Sequence, residues 1–233
     1  MRPAALRNGL LLALATTLLS APAQAFWVVN FGPAPTLPRG RFAFAGGMGG
    51  QVVLVGEPVR TSAVFFIPHA GFRAGLADFM DIGFRLAPIA LPFSSVGPSL
   101  GGNIDVKFRL TPRGANWQFA ALVGGGLGHV IVNDNGRLAY SPNAALLLST
   151  HVAEHLQLTF MGRYVFMGIP TATGGDAANN LHIAGLSTGL KIDINPTVAV
   201  LPEIGAYWYE GRIADVRTSG PAFQYGVVLA STF

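Results

Sequence analysis

FQYGVVLASTF, residues 223–233, is the stretch of this sequence that decides its fold. Counted back from the end, every second residue is apolar except Ser231, and the residues between them are smaller or more polar. Successive side chains of a β-strand point to opposite faces. The pattern therefore predicts a strand with one apolar face and one small or polar face, which ends on the aromatic residue Phe233.

A strand of this kind that ends the chain on Phe resembles the last strand of the bacterial outer-membrane β-barrel proteins. In that class the last strand commonly ends in Phe and is read by the barrel-assembly machinery. The resemblance implies a location in the cell outer membrane. It also implies two partners, which are the outer-membrane lipid and, during biogenesis, the assembly machinery. The residues that would form the assembly signal are Tyr225, Val227, Leu229 and Phe233.

The first 25 residues have the three parts of a secretory signal peptide. Arg2 and Arg7 supply positive charge, residues 10–19 are apolar, and Ala23-Gln24-Ala25 is a small-x-small cleavage site. The apolar part is too short for a transmembrane helix. We therefore expect residues 1–25 to be removed. The chain contains no Cys, which excludes disulfides and a lipid-modified cysteine anchor.

The composition favours a membrane protein that crosses with strands. Charged residues make up 11% of the chain, against about 25% in soluble domains, and the mean hydropathy is +0.46. After residue 25 there is no uncharged apolar run of about 18 residues free of Gly and Pro, as a spanning helix would need. The formal net charge of +4 falls further without Arg2 and Arg7, so it does not indicate a nucleic-acid partner.

Alternating apolar and polar residues predict a closed, antiparallel, up-and-down transmembrane β-barrel over residues 41–233. Residues 26–40 contain Pro33, Pro35 and Pro38 and are expected to form an extended leader outside the ladder. An eight-stranded barrel is the alternative to ten strands. The ten predicted strands lie near 41–54, 63–75, 80–89, 99–110, 117–132, 138–150, 156–167, 181–194, 198–209 and 222–233.

The links between these strands alternate in length. Barrels in the outer membrane have short periplasmic turns and longer external loops. With the C-terminus placed in the periplasm, the periplasmic links are 76–79, 111–116, 151–155 and 195–197. The external links are 55–62, 90–98, 133–137, 168–180 and 210–221. A soluble barrel is disfavoured, because its outer surface would consist largely of small residues such as Gly124, Gly126 and Gly128.

The row of side chains opposite the apolar row predicts a charged lumen. Basic groups outnumber acids in this row, and buried charges must pair or stay hydrated. We therefore expect a salt-bridged, mildly basic lumen, either in a structural barrel or in a narrow passive channel for small solutes or ions. Glu203 is expected to point inward near Arg163. The predicted lumen residues are His69, Arg73, Arg85, Asp105, Lys107, Arg109, Arg163, Lys191, Asp193 and Glu203.

Other functions have weaker support in the sequence. A surface-binding or adhesion barrel would act through external loops, of which 168–180 and 210–221 are the longest. The acids and histidine expected at the external rim, Asp134, Asp176, His182 and Asp215, show no spacing of known barrel enzymes. The zinc-like string 151–155 falls in a turn and not on a helix. We therefore expect a protein without enzymatic activity, cofactor or metal.

Overall fold

The computed structural model describes residues 32–54, 62–89, 96–132, 135–170, 179–213 and 216–233. These residues contain ten strands, which close into one antiparallel barrel. In chain order they are β1 (Phe42–Val53), β2 (Ser62–Ala77), β3 (Met80–Ile89), β4 (Val96–Arg109), β5 (Trp117–Val132), β6 (Asn135–Ala153), β7 (Leu156–Ile169), β8 (Asn179–Asn195), β9 (Val198–Ile213) and β10 (Val216–Thr232). Neighbours along the chain pair with each other, and β1 pairs with β10. The ten-stranded barrel is confirmed, and the eight-stranded alternative is wrong.

The two faces of the wall follow the alternation in the sequence. In β4 the side chain of Ile104 is 54% exposed on the outer face, whereas the next residue, Asp105, is 2% exposed inside the barrel. The last strand behaves in the same way, with Tyr225 outside and Gln224 inside. No helix among the described residues is long and apolar enough to cross a membrane.

The two ends of the barrel differ in their connections. We call the end that holds Phe233 the lower end and the opposite end the upper end. The lower links are 78–79, 110–116, 154–155 and 196–197, close to the predicted short turns. The upper links are 54–61, 90–95, 133–134, 170–178 and 214–215, of which three are six residues or longer.

The prediction of a long upper link over 210–221 is wrong. β9 continues to Ile213 and β10 starts at Val216, so only residues 214–215 join them. Glu210, Arg212 and Arg217 point outward on this extension and are exposed. A strand that has left the apolar part of the membrane keeps its ladder but no longer needs an apolar outer face. The period-2 signal therefore stops before the strand does.

Residues 32–40, which we call the plug, enter the barrel from its lower end. They form no ladder, as the sequence predicts, but their position inside the wall was not foreseen. Ala34 is fully buried and Thr36 is nearly so. At the lower rim the Gly40 amide donates to Gly75 O at 2.9 Å, and the Gly75 amide donates to Arg41 O at 2.9 Å. The leader is therefore part of the folded barrel.

Candidate functional site: the lumen and its plug

The structure places all ten predicted lumen residues on the inner row of their strands. His69 and Lys107 are buried, and Lys191 and Asp193 are partly exposed near the lower rim. By strand, the set is His69 and Arg73 on β2, Arg85 on β3, Asp105, Lys107 and Arg109 on β4, Arg163 on β7, Lys191 and Asp193 on β8, and Glu203 on β9.

An ionic layer crosses the lower half of the lumen. The Arg73 guanidinium donates to both Asp81 and Asp105, and Lys107 Nζ lies 3.5 Å from Asp81 Oδ2. All four side chains are largely buried. Asp81 was not among the predicted site residues, although it occupies the same row of β3 as Arg85 and was visible as a polar residue on that row.

The plug is bound by this ionic layer through its backbone. Lys107 Nζ donates to the carbonyl oxygens of Pro33 and Pro35, both at 2.8 Å. The Leu37 amide donates to Asp81 Oδ2 at 3.0 Å. Pro33 and Pro35 have no amide hydrogen, so their backbones offer Lys107 acceptors only. The same two charged residues therefore hold both the wall and the plug.

Neutral contacts hold the rest of the plug. The Ala34 amide donates to Ser149 Oγ at 2.9 Å, and Thr36 Oγ1 donates to Asp78 O at 2.9 Å. Ala34 also packs into an apolar cluster of inner-face side chains. The other members of that cluster are Ala120, Leu122, Ala145, Leu147 and Met161.

The middle of the lumen carries the second group of charges. Arg163 Nη2 donates to Asn143 Oδ1 at 3.0 Å, and Asn143 Nδ2 donates to Asn103 Oδ1 at 2.7 Å. Glu203 points inward and interacts electrostatically with the guanidinium groups of Arg85 and Arg163. The predicted inward orientation of Glu203 agrees with this arrangement.

The upper half of the lumen is lined by buried, uncharged side chains. Gln224 Nε2 donates to Gln51 Oε1 at 2.5 Å and to Tyr209 Oη at 3.2 Å. These three side chains are buried, together with apolar residues such as Ile67 and Ile183. The two glutamines were not predicted as site residues. Their only sequence signal is a polar residue on the inner row of a strand.

A cavity of about 180 Å³ separates the plug from one side of the wall. Pro33, Pro35 and Leu37 line it on the plug side, and His69 and Arg85 line it on the wall side. At its lower mouth Lys191 Nζ lies 2.6 Å from Asp193 Oδ1. The cavity therefore extends to the lower end of the barrel. Its lining is mostly apolar, and the basic side chains in it outnumber the carboxylates.

Arg109 lies away from this cavity, near the lower end of β4. Its Nε and Nη1 atoms are buried, and no hydrogen-bond partner for them occurs in the described ranges. Its guanidinium adds to the positive charge of the interior.

The residues considered for other chemistry do not converge on a site. His182 lies on the outer face of β8, where its Nδ1 lies 2.6 Å from Tyr164 Oη. Glu154 and His155 form the two-residue turn after β6 and are exposed. Asp134, Asp176 and Asp215 lie outside the described residues. Within the described ranges no group of His, Asp and Glu has the arrangement of a metal site.

The outer surface defines the class of the protein. Large apolar side chains such as Leu146, Leu186 and Ile204 are exposed all around a closed wall, a surface suited to lipid. Aromatic residues mark both edges of this surface, with Trp117 and Phe233 below, and Tyr140, Trp208 and Phe223 above. The protein is an integral β-barrel of the bacterial outer membrane.

The predicted assembly-signal residues are part of this lipid-facing surface. Tyr225, Val227, Leu229 and Phe233 all point outward from β10 and its end. Their role in assembly remains a prediction.

Comparisons with known proteins agree with the fold. No family model and no curated protein sequence matches the chain. An outer membrane channel of Pseudomonas putida F1 is similar with a TM-score of 0.53 and 11% identity, over 88% of this chain and 100% of that one. The outer membrane protease OmpT of Escherichia coli is similar with a TM-score of 0.43 and 10% identity, over 88% and 99%. Neisserial surface protein A is similar with a TM-score of 0.37 and 10% identity, over 84% and 100%.

Proposed function

We propose that this barrel is a narrow passage for small solutes or ions, without enzymatic activity, and that the plug holds it closed from the periplasmic side. One observation carries the proposal. The lower half of the lumen is occupied by residues 32–40 of the same chain, which form no β-ladder and are held mainly by side chains of the wall.

Such a plug is bound strongly enough to close the lumen and weakly enough to leave it. A net contribution of about 1 kcal/mol is typical of one hydrogen bond, and about twice that of a bond to a charged group. Within the described residues the plug is held by hydrogen bonds and apolar packing, and none of these contacts is covalent. The groups it would leave behind, above all Lys107 and Asp81, are charged and would attract water into the opened lumen.

The charge of the lumen indicates what would pass. Arg73, Arg85, Lys107 and Arg163 line the path with Asp81, Asp105 and Glu203 as their counter-charges. Rings of basic side chains favour anions in narrow pores. The passage is therefore expected to prefer small anions over cations of the same size. The most similar fold among the three comparisons above belongs to a protein described as a channel, which agrees with this proposal.

A structural barrel that never conducts is the second candidate. The uncharged cluster of Gln51, Tyr209 and Gln224 favours it, because these buried, hydrogen-bonded side chains narrow the upper half of the lumen. A surface-binding barrel has less support, since the link expected at 210–221 is reduced to residues 214–215.

Conductance across planar bilayers separates the two candidates. The purified wild-type protein is compared with a variant that lacks residues 32–40. A passage predicts rare, brief openings in the wild type and frequent openings in the deletion variant, with anion preference in both. A deletion variant that folds, shifts on a heat-modifiability gel and still conducts nothing would leave the structural barrel as the function.

A reversible disulfide between the plug and the wall compares the closed and the released plug within one protein. Ala34 and Ser149 adjoin each other, and the chain has no other thiol to interfere with an introduced pair. In the double variant Ala34→Cys, Ser149→Cys, oxidation should abolish the openings and reduction should restore them. Each single variant should respond to neither treatment. Openings that persist in the oxidised, cross-linked protein would show that the plug does not close the path.

A further inference from the structure

We infer that the cavity between the plug and the wall is a binding site for a small oxyanion, either inorganic phosphate or a short carboxylate. The inference deepens the proposed function by naming the class of solute, and it rests on that function only for the claim that the bound anion can also pass.

The interior of the barrel carries more positive than negative charge. Apart from the Lys191–Asp193 pair and from Arg137 at the upper end of β6, the inner row of the described strands holds five basic side chains and three carboxylates. Positive charge in a confined interior requires counter-charge or water. The basic residues are Arg73, Arg85, Lys107, Arg109 and Arg163, and the acids are Asp81, Asp105 and Glu203.

The carboxylates of the lumen are each shared by several groups. Asp81 and Asp105 both accept from Arg73, and Asp81 also accepts from the plug. Two guanidinium groups, those of Arg85 and Arg163, then face Glu203 across the middle of the lumen. Asp105 attracts Arg85 as well, so the three guanidinium groups of Arg73, Arg85 and Arg163 share the carboxylates of Asp105 and Glu203.

The cavity lies beside these guanidinium groups. Arg85 lines the cavity of about 180 Å³, together with His69 and the prolines of the plug. A guanidinium presents paired donors that match the two oxygens of a carboxylate or phosphate. The plug prolines have no amide hydrogen and leave the donors to the wall. The cavity thus combines free volume, more basic than acidic side chains and an extension to the lower rim at Lys191 and Asp193.

Thermal unfolding in detergent tests the site without any conductance measurement. Melting curves of the wild type are recorded against increasing sodium phosphate and, separately, sodium acetate, with sodium chloride at matched ionic strength as the reference. A ligand that binds only the folded state raises the melting temperature in a saturable way. We expect such a rise with at least one of the two oxyanions, and the stronger of the two identifies the preferred class.

Variants at Arg85 assign the effect to the cavity. Arg85→Gln should weaken the oxyanion affinity at least tenfold, and Arg85→Lys, which keeps the charge and serves if the first variant does not fold, should weaken it by a smaller factor. Arg212→Gln, on the outer face of the upper rim, should leave it unchanged. A wild type without a saturable rise, or a rise that both Arg85 variants retain in full, overturns the inference. If the protein binds the anion in the melting experiment but never conducts in bilayers, only the proposed passage is overturned.

Discussion

Phe42 and Phe233 exchange two backbone hydrogen bonds at the lower end of the seam where β1 meets β10. The Phe42 amide donates to Phe233 O at 3.2 Å, and the Phe233 amide donates to Phe42 O at 2.8 Å. The Phe233 ring also lies edge-on to Phe44, with 6.1 Å between the ring centroids. The last residue therefore closes the barrel in addition to any role as an assembly signal.

The two roles of Phe233 predict different outcomes for two variants. Phe233→Ala keeps the backbone bonds and loses the ring contact, which is worth about 1 kcal/mol for an aromatic pair. Deletion of Phe233 also removes the closing bonds of the seam. We expect outer-membrane yield to fall in both variants, and thermal stability to fall more in the deletion. Heat-modifiability gels of membrane fractions measure both quantities.

Phe79→Ala is the control for a lost exposed ring at the lower end, since Phe79 is 56% exposed and Phe233 is 59% exposed. Its yield should stay at the wild-type level. Chain ends often fray and contribute little. A normal outer-membrane yield of both Phe233 variants would mean that this chain end also frays and contributes little.

Gly75 provides a test of the seated plug that changes no charge. A Cβ at Gly75 would collide with the Pro38 carbonyl oxygen, because the plug passes directly over this residue. Gly75→Ala should push the plug out of its seat and increase channel openings. Gly125→Ala is the matched control, since a Cβ at Gly125 points outward and meets nothing within 4 Å. Equal opening frequencies in the two variants would argue against a plug that seals the lumen at this point.

The sequence predicts the wall of this barrel well, for a physical reason. Lipid on one side and a narrow lumen on the other impose opposite demands on successive residues, so each strand inside the membrane carries a period of two. Above the membrane that demand ends, which explains why the extension of β9 to Ile213 left no signal. Glu210 and Arg212 there resemble loop residues although they are paired.

The position of the plug was not predictable in the same way. Residues 32–40 have no periodicity, and their proline content indicates only an extended backbone. Their place inside the lumen depends on acceptor-to-donor contacts such as Pro33 O with Lys107, which join residues 74 positions apart. A charged row on β4 predicts a counter-charge, but it does not predict that backbone carbonyls of the leader will provide part of it.

Lys107 links the plug to the ionic layer, so its removal should loosen both. Lys107→Met keeps the approximate length of the side chain and leaves the carbonyls of Pro33 and Pro35 without their donor. Removal of one member of a buried charged network typically costs about 3 kcal/mol. We expect a lower melting temperature and, in an Ala34→Cys background, faster labelling by a maleimide, because Ala34 is fully buried while the plug is seated.

Arg113→Met controls for the loss of a cation at the lower end. Arg113 Nη2 lies 3.4 Å from Asp78 Oδ1 in an exposed ion pair. Such pairs contribute about 0–1 kcal/mol to the free energy of unfolding. Arg113→Met in the Ala34→Cys background should be labelled at the same rate as the parent Ala34→Cys protein. If Lys107→Met labels no faster than Arg113→Met, the plug does not depend on Lys107.

The last prediction concerns Glu203, the carboxylate in the middle of the lumen. Its side chain points inward, and the guanidinium groups of Arg85 and Arg163 both interact with it. Glu203→Gln keeps the size of the side chain and removes the negative charge that these two arginines share. The melting temperature should fall, by an amount that corresponds to about 3 kcal/mol if the site is dry and to much less if water enters it. In bilayers the reversal potential should shift toward stronger anion preference, because the net positive charge of the lumen rises by one unit.

Glu210→Gln on the same strand is the matched control for Glu203→Gln. Glu210 lies exposed on the outer face, with its Oε1 atom 3.8 Å from Arg217 Nη2. It should change neither the melting temperature nor the ion preference. A Glu203→Gln protein that behaves like Glu210→Gln in both measurements would mean that neither arginine depends on this carboxylate, and that the charge of the middle lumen is balanced by solvent.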